Sequence, residues 1–70
     1  MDQILATTEI QVEKKHLTID VCENGRGRFL RITEWSHGRR NAVIVPDTGL
    51  EQFTAAIDDV LSQAEKATPA

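Results

Sequence analysis

The sequence predicts an α+β fold in which an antiparallel four-stranded sheet is followed by one C-terminal helix, in the order ββββα. Three observations predict it. Alternating apolar residues flank an Asn24-Gly25 dipeptide, the strongest short-range hairpin signal. A second turn, Ser36-His37-Gly38-Arg39, leads into a short β-branched run that stops at Pro46, a residue unable to continue a central ladder. Beyond Pro46 the apolar spacing changes from that of a strand to that of a helix.

Each element has its own warrant. Thr7 to Glu13 places Thr8, Ile10 and Val12 on one side, and His16 to Glu23 places Leu17, Ile19 and Val21 on one side, so both read as strands. Asn24-Gly25 tolerates positive φ at the two central positions of a tight turn and starts the return strand. In Arg28 to Trp35, Leu30 and Ile32 share one face, which reads as core, while Phe29, Arg31, Thr33 and Trp35 share the other. Asn41 to Val45 is the fourth strand. Thr48-Gly49-Leu50-Glu51 then has capping-box spacing, and Leu50, Phe53, Ile57, Val60, Leu61 and Ala64 form one stripe of a helix of about four turns that covers one sheet face. The folded unit is expected over residues 5–64, with flexible ends at 1–4 and 65–70.

The chain has 70 residues and a formal net charge of -3, a balance that argues against a generally basic nucleic-acid binder. Its distribution argues the other way. From Lys14 to Arg40 seven cations face three anions, a local +4, and the remaining residues carry one cation and eight anions, a local -7. Screening over a Debye length of about 8 Å lets a partner on one face respond to the nearby charges more than to the total. At this size a single core supplies only about 3 to 5 kcal/mol without a staple. Cys22 is the only cysteine, so a disulfide is excluded. No signal peptide or bilayer-spanning apolar run is present, and the expectation is a reduced, cytoplasmic protein with no membrane contact, stabilised as a homodimer.

His16, His37, Cys22 and Asp20 are residue types that enzymes use, yet nothing in their spacing obliges a base to meet a nucleophile, and metal-ligand pairings are absent. No catalysis, metal or cofactor is expected. Arg26, Arg28, Arg31, Arg39 and Arg40 sit in two neighbouring turns and the strands beside them. Charge at hairpin tips and edges keeps sheets soluble. Five guanidinium groups without a lysine among them equally suit bidentate phosphate or base contacts. Phe29 and Trp35, on a face shared with Arg31, need a cover that either a partner subunit or unpaired bases could supply.

Glu23-Asn-Gly-Arg-Gly-Arg-Phe-Leu-Arg-Ile32, preceded by Ile10 to Val21 and followed by Val43 to Phe53, resembles the PUR repeat of the PUR-alpha proteins, which bind single-stranded purine-rich DNA and RNA. The resemblance covers nearly the whole chain. It implies a ββββα repeat, two copies of which intertwine, so that one copy here implies a homodimer. It also implies nucleic-acid contacts from Asn24 and Arg26, stacking by Phe29, and help from Lys14 or Lys15; the arginine cluster adds Arg28 and Arg31 to the candidate contacts. Cys22 stands where the family commonly has lysine, and Leu17 and Thr18 replace aromatic residues of the second strand, which reduces the expected contact there. The alternative reading is a homodimeric protein-interaction or structural module whose aromatic face is buried by another polypeptide.

Overall fold

The computed structural model describes residues 2–67 as strands Gln3–Val12 (β1), Lys15–Asn24 (β2), Gly27–Ser36 (β3) and Arg39–Pro46 (β4), a 3-10 turn at Asp47–Gly49, and helix Leu50–Ala67 (α1). The four strands form one antiparallel meander in the order β1-β2-β3-β4. Of the ends expected to be loose, Met1 and residues 68–70 lie outside the described residues. Gln3 and Ile4 extend β1 and pair with Glu23 and Cys22, and residues 65–67 extend the helix. A β-bulge between Ile4 and Ala6 explains the early strand start: Leu5 is an extra residue, and it breaks the alternation by which a strand is read from sequence.

Register sorts the side chains into two faces. Thr8, Ile10, Leu17, Ile19, Val21, Leu30, Ile32, Val43 and Val45 lie on one face, since Ile10 opposes Leu17, Ile19 opposes Ile32, Val21 opposes Leu30, and Ile32 opposes Val43. The other face carries Thr7, Asp20, Cys22, Phe29, Arg31, Thr33, Trp35, Arg40 and Ile44. These are the faces that the alternation in the sequence predicts.

The turns differ from expectation in their chemistry. The central residues of the β2–β3 hairpin are Gly25 and Arg26, because Asn24 pairs with Gly27. Asn24 does not occupy a central position; its Oδ1 accepts from the Arg26 backbone N–H at 2.8 Å, an Asx turn, and Gly27 is the residue with positive φ, at 133°. His37 and Gly38, with φ of 50° and 76°, make the β3–β4 turn. The capping box at Thr48 to Glu51 does not form. The 3-10 turn instead satisfies the Leu50 N–H with the Asp47 carbonyl, so the helix start has a backbone partner before any side chain is needed.

The helix does not cover the sheet from which it emerges. Its sheet contacts are chiefly with β4, next to the chain that leads into it, so the apolar face stays open. Val43 is 56 % exposed and Val60 is 62 % exposed, and Ile10, Val12, Ile57 and Leu61 are exposed as well. Among the described residues Cys22 is the only buried apolar side chain. The radius of gyration of 14.7 Å exceeds the about 11 Å expected for a compact chain of this length. A single chain thus has two amphipathic surfaces and no core between them. No helix among the described residues is long and apolar enough to cross a membrane.

Gly27→Ala is expected to lower the unfolding free energy by about 1 to 3 kcal/mol through backbone strain, while Gly25→Ala leaves it unchanged or raises it by up to about 1 kcal/mol. Urea unfolding at a fixed chain concentration measures both. A Gly25 variant as damaged as the Gly27 variant would contradict the observed turn.

Candidate nucleic-acid interface

The polar face is built on β2, β3 and β4 around one ion pair. Antiparallel register sets Asp20 opposite Arg31, and Arg31 Nε and Nη2 donate to Asp20 Oδ2 at 3.3 and 3.2 Å. Thr7 Oγ1 on β1 donates to the other carboxylate oxygen at 2.5 Å. Asp20 is buried, and the guanidinium is partly shielded, with 29 % of the Arg31 side chain exposed. This pair therefore exceeds a solvent-exposed one in strength, and it holds Arg31 flat in the middle of the face.

On one side of Arg31, toward the β2–β3 hairpin, lies a shallow groove of about 460 Å³ bordered by Asn24, Arg26, Phe29, Arg31, Ile44 and Pro46. Phe29 is partly exposed there, opposite Pro46 on β4 and Cys22 on β2. Cys22, its cross-strand neighbour, is wholly buried. Arg26 is exposed at the hairpin tip, and its guanidinium enters no ion pair among the described residues. A free cation beside a half-exposed ring can engage a phosphate and a base of one nucleotide strand together.

The seven residues singled out from sequence do not all meet. Asn24, Arg26, Phe29 and Arg31 share this groove. Asn24 serves mainly as its organiser, accepting from Arg26 N–H and donating to Asp2 Oδ1 at 3.2 Å, which leaves one N–H and one lone pair for a ligand. Arg28 borders the groove, but its register places it on the apolar face, where its Nε donates to Glu23 Oε1 at 3.1 Å. Lys14 and Lys15 lie at the opposite end of the sheet, about 30 Å away along β2. Lys15 lies on the apolar face, bound to Glu34 at 3.0 Å, and Lys14 projects from the β1–β2 turn. The length of β2 alone keeps these two ends apart, and the pleat further sends Lys15 to the face opposite Phe29 and Arg31.

Two features had no single-residue signal. Ile44 and Pro46 form the apolar wall behind Phe29, and their place follows from the β3–β4 register. Arg40 stands opposite Trp35, its Cζ 5.8 Å from the ring centroid, because the two-residue turn at His37-Gly38 fixes that pairing. No group of three or more His, Cys, Asp or Glu side chains able to hold a metal gathers among the described residues.

A four-stranded antiparallel sheet with a polar, arginine-bearing open face and a trailing amphipathic helix defines the class: a small sheet-surface binding module. A family model described as PurA single-stranded DNA- and RNA-binding protein matches residues 2–66, and the chain belongs to that family. It is 40 % identical over 52 residues to transcription factor Pur-alpha 1 of Arabidopsis thaliana, a match covering 74 % of this chain and 18 % of that protein. It is 34 % identical over 62 residues to transcriptional activator plp-1 of Caenorhabditis elegans, covering 86 % of this chain and 27 % of the relative. The chain thus spans about a fifth to a quarter of the length of these curated relatives.

Asp20→Asn is expected to cost about 1 to 3 kcal/mol of stability, since it weakens a charge-assisted pair and leaves a shielded guanidinium without its counter-charge. Chemical unfolding reads the change. A loss below about 0.5 kcal/mol would mean that the pair behaves like an exposed one.

Proposed function

We propose that this protein is a homodimer that binds single-stranded, purine-rich DNA or RNA on the polar face of each sheet, without covalent chemistry. One observation carries the proposal: Phe29 and the unpaired Arg26 border one groove, held by Asn24, on the face that bears no apolar stripe. Membership of the PurA family supports the ligand class. Phe29 stacks on a base, Arg26 takes the adjoining phosphate, and the remaining amide capacity of Asn24 meets a base edge. Arg31 reaches the strand only with the part of its guanidinium that Asp20 leaves free.

Self-association is supported by the two uncovered apolar surfaces. The helix carries a wholly apolar groove lined by Phe53, Ala56, Ile57, Val60 and Leu61, and the sheet presents Ile10, Ile19, Ile32 and Val43. Each exposed helix stripe has the length and character to lie across the open sheet face of a second copy, burying both.

Fluorescence anisotropy with a labelled purine-rich single strand at two salt concentrations tests the binding. Phe29→Ala is expected to weaken it by about 1 to 3 kcal/mol, and Arg26→Ala to lower the salt slope by about one. No detectable binding at low salt would favour a protein-interaction role instead. In sedimentation equilibrium the chain is expected at twice its mass, and Val60→Asp to abolish the dimer together with most of the folded signal. A folded, monomeric wild-type chain would overturn the proposed self-association.

A further inference from the structure

The same sheet face carries a second aromatic platform, at the end remote from Phe29. Trp35 lies on β3 six residues beyond Phe29, and an even separation puts both rings on one face, about 20 Å apart. Trp35 is 41 % exposed and has two neighbours on the adjoining strands. Its Nε1–H donates to Thr18 Oγ1 on β2 at 3.4 Å, and Arg40 on β4 leans over the ring at 5.8 Å. Around it Thr18, Asp20, Arg31, Thr33, Arg40 and Ala42 enclose a groove of about 240 Å³. This groove shares Arg31 with the one that Phe29 borders, so the two lie end to end along β3 with Arg31 between them.

We infer that Trp35 and Arg40 form a second base-stacking subsite, so that one unpaired strand runs along β3 from Phe29 to Trp35. The inference rests on the single-strand binding proposed above and adds the strand's path and length. At 5.8 Å the guanidinium is in cation–π range but not in tight contact, and a purine can slide onto the indole while Arg40 turns to the neighbouring phosphate. Near Trp35 the charges are mixed: Glu9, opposite Thr18 on the same face, meets His16 Nε2 at 3.1 Å. Lys14, in the β1–β2 turn at this end of the sheet, forms no ion pair among the described residues, and Arg40 meets no carboxylate there. Midway, Asp20 cancels the charge of Arg31, so the two ends grip while the centre permits the strand to pass. A span of about 20 Å holds about six stacked nucleotides, or fewer when the strand is stretched.

Trp35 is the only tryptophan in the chain, so its fluorescence reports on this subsite alone. The full chain is titrated with labelled purine-rich DNA strands of about four and about twelve nucleotides, reading anisotropy and tryptophan emission together. With the longer strand the emission is expected to be quenched in step with binding. Trp35→Ala is expected to weaken the longer strand between about fivefold and a hundredfold, and to lower the advantage of the longer strand over the shorter. Arg40→Gln, which leaves the ring in place, is expected to weaken the longer strand and to reduce its salt dependence. Tight binding of the longer strand with unquenched emission, and with affinity unaltered by either change, would overturn the subsite while leaving the Phe29 site standing. Absence of binding by strands of both lengths would remove the underlying reading and the subsite with it.

Discussion

The constraint on which everything else depends is the alternation of β3. Leu30 and Ile32 point to one side and Phe29, Arg31, Thr33 and Trp35 to the other, and the register to β2 and β4 extends that division over the whole sheet. The apolar side would ordinarily be roofed by the following helix. Here the helix leaves along β4 and exposes its own stripe instead. Two greasy surfaces on one small chain, neither covered within it, are the basis of the proposed self-association. The polar side holds the buried Cys22, Asp20 and Thr33, while Phe29 and Trp35 stay partly open above them.

Within the polar side, the Asp20–Arg31 pair sets the character of the surface. A bare arginine at the centre of the face would carry a full positive charge, whereas the clamped one leaves a nearly neutral stretch between Phe29 and Trp35. Among the described residues Arg26 at one hairpin, and Lys14 and Arg40 toward the other end, enter no ion pair. This arrangement reconciles the acidic total with a basic patch. Four of the anions outside the Lys14 to Arg40 segment, Glu51, Asp58, Asp59 and Glu65, ride on the helix, an element separate from the polar face.

Much of this was legible in the sequence. The number and order of strands, the membership of each face and the helical stripe all follow from spacing, since period two and period 3.6 leave different marks. What spacing could not supply was the exact turn. A hairpin centred on Asn24-Gly25 would set Thr18 opposite Arg31, whereas the observed turn at Gly25-Arg26 sets Asp20 there. Both registers keep the same faces, because they differ by two residues, so the faces were readable and the ion pair was not. The pleat also divides the arginine cluster. Arg28 and Arg31 are three apart, which sends them to opposite faces, and Arg28 joins Glu23 beside the apolar stripe. The course of the helix away from its own sheet left no trace in its amphipathic pattern, which looks the same whichever copy of the sheet it covers.

The central claim is that the two faces of one strand do different work, and side-chain NMR of β3 tests it most directly. In a titration with a purine-rich single strand, the ring signals of Phe29 and Trp35 are expected to shift, while the methyl signals of Leu30 and Ile32 stay in place and show contacts to helix residues of a second chain. Methyl signals of Leu30 and Ile32 that follow the strand, with Phe29 and Trp35 unmoved, would contradict the account.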